Sequence, residues 1–281
     1  MILIQNNLPR NVPLCDVITA RPVVDKLLEM GFSLGQHANP DFVFELSHYI
    51  RQPIMPNTVV FDHVDGCGIR DWKLYNDPNV TAFVKMYRYT ENSDLPKLRL
   101  GPSYLHWHRH DDLFNRPLVD YGRSVDVSFV GEMYSNRPET TVAIHRAGCV
   151  AALKKISGVN AFVSGSRHTF DRNGYLDHLF DTKVCVSPWG NGEPCHRDYE
   201  ALAMGCEVVK PRGLDIECNP EIYNDSNFHW CKPDWSDLEK VVRHALSLNW
   251  WNKKNNGEIY DKLREFRSPA WTAIFITEAM Q

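Results

Sequence analysis

From one end of this 281-residue chain to the other, short apolar runs alternate with amphipathic stretches. That alternation constrains the fold more than any other feature. A strand that is apolar throughout must be covered on both faces, and helices packed on both sides of a parallel sheet supply the cover. Strand-like runs occur at Ile2–Ile4, Asp41–Leu46, Thr58–Asp62 and Ala82–Tyr87, and a helix at Pro22–Met30 closes on Gly31. The stretch RHDDLFNRPLVDYGRS, residues 109–124, lacks periodicity and is rich in Pro, Gly and charge, so it reads as a domain boundary. After it the alternation restarts. A strand at Val125–Val130 leads through a loop to a helix at Pro138–Ile156, then a strand at Ala161–Val163 and a short helix at Tyr175–Phe180. Further strands fall at Lys183–Val186 and Val208–Val209, and amphipathic helices at Ser236–Ser247 and from Ser268-Pro269 onward. The pattern predicts an α/β chain of two domains, 1–123 and 124–281, each a Rossmann-like parallel sheet. In such sheets ligands sit at the carboxyl ends of the strands.

Charge and composition exclude several classes. With 31 basic and 35 acidic residues the net charge is -4, which argues against nucleic acid as an electrostatic partner. An anionic ligand must then be held locally, by a few arginines or a helix end. The eight cysteines show no CxxC pair, so reduced thiols are expected. The start, MILIQNNLPRNVPL, reads as a first strand and not a signal peptide, and no run reaches the ~18 apolar residues of a spanning helix. The expectation is a soluble, cytoplasmic protein without a membrane span.

The most informative stretch is SPWGNGEPCHRDYEALAMGCEVVKP, residues 187–211. A strand ends at Ser187-Pro188-Trp189, and Gly190 and Gly192 let the backbone approach a ligand closely. Pro194 suits the first turn of a helix and Gly205 the position just past its end. At ~100° per residue, Arg197 and Glu200 share one face, while Cys195, Tyr199 and Leu202 turn toward the core. An arginine beside a helix N-terminus suits a diphosphate, and a glutamate one turn further suits a pair of sugar hydroxyls.

These residues resemble the donor-binding segment of GT-B glycosyltransferases, the exostosin-like family above all. There a Pro-x-Gly turn, an arginine and a glutamate before an alanine-rich helix hold a nucleotide sugar. The segment SFVGEMYSNRPETTVAIHRAG, residues 128–148, is similar to the start of the same family's donor domain, with an arginine near the phosphates. The likeness covers roughly residues 124–212 in its motifs. It implies an inverting transferase with a UDP-sugar donor, a glycan acceptor and no required cofactor or metal. It also implies two Rossmann-like domains facing across a cleft, and a last helix that crosses back to the first domain. Its donor-binding positions here are Arg137, Ser187, Pro188, Trp189, Gly190, Gly192, Glu193, Arg197 and Glu200, and its acceptor contacts His37 and His108. The chain departs from the secretory-pathway members in lacking an anchor and having a reduced first domain. Both departures suit compact enzymes such as those of large algal viruses, of xylosyltransferase type, working in the host cytoplasm. Glu193 and Glu200 flank six residues and not the seven common in retaining enzymes.

Other clusters carry two readings each. In VVFDHVDGCGIRDWK, residues 59–73, Asp62, His63 and Asp65 follow an apolar strand. They are either the general base of the transferase, Asp65 first and His63 or His37 after it, or an Asp-Gly turn. His106, His108 and His110 alternate as metal ligands can, or form a polar segment at the boundary. Arg137 is a phosphate ligand or a loop charge. Arg146, mid-helix, reads as solvated, and Cys195 as a buried structural thiol beside His196. His48 ends a strand-like run and is a weaker candidate. Against the transferase stand a metal-dependent hydrolase built on the three alternating histidines, and a non-catalytic nucleotide-sugar or glycan-binding protein.

Overall fold

The computed structural model describes residues 1–10, 20–50, 52–62, 68–85, 87–101, 113, 122–133, 141–166, 169–190, 193, 195–213, 215–218, 221–249, 261–265 and 268–281. The chain forms two compact units. One comprises Met1–His110, Asp215–Glu221 and Arg264–Gln281, and the other Asp111–Leu214 and Ile222–Leu263.

In the first unit the strands are β1 (Ile2–Asn6), β2 (Phe32–Gly35), β3 (Phe42–Leu46), β4 (Thr58–Asp62), β5 (Val80–Lys85), β6 (Tyr87–Tyr89) and β7 (Leu98–Leu100). Helix α1 (Arg21–Glu29) links β1 to β2, and the single turn α2 (Trp72–Tyr75) lies between β4 and β5. Six strands make one sheet in the order β2-β1-β3-β4-β5-β7, every pairing parallel. The central strand β4 is buried along its whole length, as its unbroken TVVF run requires. Phe44, Phe61 and Phe83, on three neighbouring strands, are among its largest fully buried side chains.

The run Ala82–Tyr87, read above as one strand, divides. Its last part, β6, leaves the sheet and pairs antiparallel with β12 (Ile216–Cys218). Arg88 fixes that ribbon through an ion pair with Glu217 at 2.8 Å. The last helix, α7 (Pro269–Glu278), starts where the sequence places it, with Ser268 Oγ accepting from the Trp271 N–H at 3.2 Å. It packs against α1 within this unit. Phe275 lies so near Gly101 that a Cβ there would sit 3.0 Å from its ring.

The second unit contains β8 (Val125–Val130), α3 (Thr141–Leu153), β9 (Ala161–Ser164), α4 (Arg172–Phe180), β10 (Thr182–Val186), α5 (His196–Ala203), β11 (Glu207–Pro211), β13 (Phe228–Cys231) and α6 (Leu238–Leu248). Its five-stranded sheet has the order β13-β11-β10-β8-β9, again all parallel. Val127, Phe129, Val184, Val186 and Val209 from the strands pack with Cys149 and Leu153 of α3 and Leu238, Val242 and Ala245 of α6. Helix α5 ends as the sequence suggests. Gly205 takes φ +73°, a left-handed conformation that costs a residue without Cβ little.

Just before β8, Arg123 is a buried clamp, donating to the carbonyls of Thr182 (2.6 Å) and Met204 (2.9 Å). The Met204 carbonyl caps the end of α5, where a cation is favoured by the helix dipole. The six cysteines among the described residues are free and buried. Among those residues no helix is long and apolar enough to cross a membrane.

Candidate functional site

The strand order of the second unit locates the site. From β8 the chain moves out to β9 on one side, then returns to β10 on the other. The connections leaving β8 and β10 therefore part in opposite directions, and a crevice opens at their carboxyl ends. Those ends are Val130-Gly131-Glu132 and Val186-Ser187-Pro188-Trp189-Gly190, the latter being the start of the glycine-rich stretch singled out in the sequence.

Arg197 reaches across from α5 to the end of β8. Its Nε and Nη2 donate to the Val130 carbonyl at 3.2 and 3.0 Å, and its guanidinium lies 4.9 Å from the centre of the Phe129 ring. An added Cβ at Gly131 would overlap Arg197 Nη2, so only glycine allows the guanidinium this place. The third nitrogen, Nη1, is buried with no hydrogen-bond partner among the described residues. A buried guanidinium nitrogen without an acceptor is costly, and an anion is the group that would satisfy it. Helix α5 is covered on its polar side as well. From Arg197 to Ala203 every residue is buried, Glu200 included, and only His196 at its start is exposed, so Arg197 and Glu200 face the interior of the site.

Glu200, 6% exposed, is held by Arg172 from the first turn of α4, with Tyr175 of the same helix beside it. Burial, reinforced by the Glu200 charge, pushes the Tyr175 phenol well above its ordinary value, so it keeps its proton.

A second buried network braces the glycine turn. Lys210 Nζ, in the middle of the otherwise apolar end of β11, lies 2.7 Å from Glu193 and 3.0 Å from Asp198. Glu193 Oε1 accepts from the Gly190 N–H at 2.8 Å, and Asp198 accepts from Ser187 Oγ at 2.6 Å and the Cys195 N–H at 3.1 Å. The single Tyr223 hydroxyl lies within hydrogen-bond reach of both carboxylates. Burial raises Glu193 above the usual carboxylate range, with Lys210 opposing and Asp198 reinforcing. Burial acts the same way on Asp198, but Lys210 and the Ser187 and Tyr223 hydrogen bonds outweigh it and hold its value low. Glu193, Cys195 and Asp198 bring ligand atoms within 4.8 Å of one another, yet the Lys210 ammonium already supplies the positive charge there. Burial pushes the Cys195 thiol up to about 12, which suits a packing role and not a nucleophile.

Arg146 is a correction. Expected in solvent, it is buried, with Nη1 donating to the Glu132 carbonyl at 2.6 Å and Nε to the Trp189 carbonyl at 3.2 Å. One side chain thus ties together the two loops that flank the crevice. Its neighbour His145 stacks on Trp189, centroids 4.2 Å apart, and leans on Trp235. Between two indoles, burial lowers His145 to about 4, with Lys210 and Arg146 adding to the effect.

Because the unfolded histidine titrates near 6.5, the unfolded chain binds a proton below that pH while the fold stays neutral until about 4. Stability from this group is complete above about pH 6.5 and is lost as pH falls toward 4. Wild type should lose about 1–2 kcal/mol from this source between pH 7 and pH 5. Urea denaturation of His145→Asn should show that part of the slope removed; an unchanged slope would mean another group carries it.

Of the residues marked in the sequence, Ser187, Pro188, Trp189, Gly190, Glu193, Arg197 and Glu200 all lie in the second unit and surround this crevice or brace its turn. Gly192, Arg137, His63, Asp65, His106, His108 and His110 lie outside the described residues. His37, in the first unit, follows β2; its N–H donates to Gln5 Oε1 at 2.6 Å and its Nε2 is 3.0 Å from the Ser33 carbonyl. Asp62 is buried in an ion pair with Lys85 at 2.8 Å. Lys210, Asp198, Tyr223, Arg172 and Tyr175 were not marked in the sequence. Only Lys210 left a signal, as a charge in an apolar strand.

No protein-family model matches this chain, and no curated protein matches it. Among solved structures it is similar to a glycosyltransferase from Rickettsia africae ESF-5, at 13% identity and a TM-score of 0.57, over 99% of this chain and 97% of that one. It is also similar to TarM, at 11% identity and a TM-score of 0.51, over 80% of this chain; it spans half the length of TarM. At such identities the likeness is one of fold. The fold is the α/β arrangement of GT-B glycosyltransferases, with parallel sheets in two Rossmann-like units.

Proposed function

We propose that this chain is a glycosyltransferase that moves a sugar from a nucleoside diphosphate donor to a hydroxyl of a glycan. The observation that carries this reading is the buried Arg197 guanidinium at the switch point of the second sheet, beside the N-terminus of α5, with Nη1 lacking an acceptor among the described residues. Arg197 and the helix end bind the diphosphate, with Arg137 adding to the charge; Glu200 accepts the ribose hydroxyls. On the exostosin-like resemblance the donor is a UDP-sugar, the sugar xylose as in the compact viral enzymes, and the outcome inversion. In that reaction the acceptor oxygen bonds to the anomeric carbon as its proton passes to a carboxylate, which we assign to Asp65. The bond from the anomeric carbon to the β-phosphate oxygen breaks, and the diphosphate leaves with the electron pair. Arginine and a helix end offset the developing charge, so no divalent ion is required. The fold likeness does not favour a hydrolase built on the three alternating histidines.

A thermal-shift screen tests the reading. A nucleoside diphosphate at a hundredfold excess over its Kd stabilises the fold by about 2.7 kcal/mol. UDP should raise the melting temperature more than UMP, and excess EDTA should leave both the shift and sugar transfer intact. If no nucleoside diphosphate moves the melting temperature, the reading is wrong. Transfer lost to EDTA and restored by manganese or zinc would return weight to a metal mechanism.

A further inference from the structure

The carboxylate of Glu200 is held in place by groups from a different helix. Arg172 stands at the first position of α4 and Glu200 in the second turn of α5. Both helices begin at the carboxyl edge of the sheet, because each follows a parallel strand, β9 and β10 respectively. Arg172 Nη1 donates to Glu200 Oε1, and Tyr175, one turn along α4, lies close enough for its phenol to feel the Glu200 charge. An ionised carboxylate only accepts, so any group that bonds it must be a donor. The arginine is charged throughout, and the Tyr175 phenol stays protonated. With one oxygen anchored by Arg172 and Tyr175 alongside, the carboxylate has little freedom to rotate. A carboxylate has about four lone-pair sites, so capacity for two further hydroxyl donors remains.

We propose that Arg172 and Tyr175 are positioning residues that set the plane of the Glu200 carboxylate for a vicinal diol, and thereby make the site select ribose over deoxyribose. The proposal rests on the nucleotide-donor reading above. Its physical content is that recognition of two adjacent hydroxyls needs the acceptor fixed in advance. A glutamate free to rotate would meet one hydroxyl as well as two, and would lose entropy in doing so. A site built to accept hydroxyls discriminates against an analogue that lacks them, because its buried acceptor is then left unpaired.

The test compares UDP with 2′,3′-dideoxy-UDP by calorimetry on wild type, Arg172→Met, Arg172→Lys, Tyr175→Phe and Glu200→Gln, each first checked for an intact melting transition. Wild type should prefer UDP by about tenfold or more. Arg172→Met and Tyr175→Phe should each cut that preference to about twofold to threefold while affinity for the dideoxy nucleotide barely changes. Arg172→Lys should restore part of it, since a cation still reaches Oε1 but fixes the plane less well. A merely structural role would weaken both nucleotides together and leave their ratio unchanged, and that outcome overturns the proposal. So does full preference in both Arg172→Met and Tyr175→Phe. If wild type binds UDP without any preference, the ribose assignment fails while the diphosphate site stands. If it binds neither nucleotide, the donor reading itself fails and this inference with it.

Discussion

Lys210→Met is expected to lower the free energy of unfolding by about 3–5 kcal/mol, the usual cost of removing one partner of a buried ion pair. The side chain is 3% exposed and sits between two carboxylates that are themselves 5% and 0% exposed. Methionine fills the same space, so the loss is electrostatic: Glu193 and Asp198 would face each other without a cation. Chemical denaturation measures it directly. Two companion results identify the cause. Glu193→Gln in the Lys210→Met background should recover part of the loss by removing one of the two charges. The deficit should also shrink as pH falls below 7. A carboxyl whose folded value is raised above its unfolded one binds its proton more tightly in the fold, so acid relieves the repulsion. A deficit of less than about 1 kcal/mol would mean the pair is screened and the turn is braced some other way.

The second large effect concerns the donor. Arg197→Ala and Glu200→Ala should each weaken UDP by about tenfold to a hundredfold, the worth of a charge-assisted hydrogen bond of about 1.5–3 kcal/mol. Arg197→Ala also leaves the Val130 carbonyl without its two donors, so stability falls as well. Gly131→Ala separates the two losses. It retains the arginine, but the new Cβ takes the place of Nη2 beside the Phe129 ring and moves the guanidinium off its seat. Calorimetry on the three variants, each confirmed folded by circular dichroism, should show weakened UDP in all of them. Unchanged affinity in both Arg197→Ala and Glu200→Ala would remove the donor assignment. Unchanged affinity in Gly131→Ala alone would mean the phosphates are met at a different nitrogen.

Much of the fold can be read from local patterns, because strands covered on both faces and capped helices write themselves into short windows. The runs at Thr58–Asp62 and Val125–Val130 are strands with those bounds, and Ser268 and Gly205 stand at the helix boundaries their chemistry favours. The strands that escaped notice, β2, β7, β12 and β13, are three or four residues long, too short for a two-residue period to show above background. Helix α5 shows how a local reading can give geometry without environment. Arg197 and Glu200 share a face as the helical period requires, but the sequence cannot say that this face is covered. The cover comes from β8 and α4, more than sixty and more than twenty residues away in the chain.

By itself, then, the sequence determined the longer strands, several helix boundaries and the α/β class of the fold. Strands that are apolar on both faces demand helical cover, and the chemistry of serine and glycine marks where helices start and stop. What only the tertiary structure decided is which polar groups are paired. Strand order alone makes β8 and β10 neighbours whose loops part. That places Gly131 under Arg197, seats Arg146 across two loop carbonyls, and sets Lys210 between Glu193 and Asp198. Burial and pairing are sums over contacts distant in sequence, and the free energy of a charge depends on those sums far more than on its neighbours along the chain.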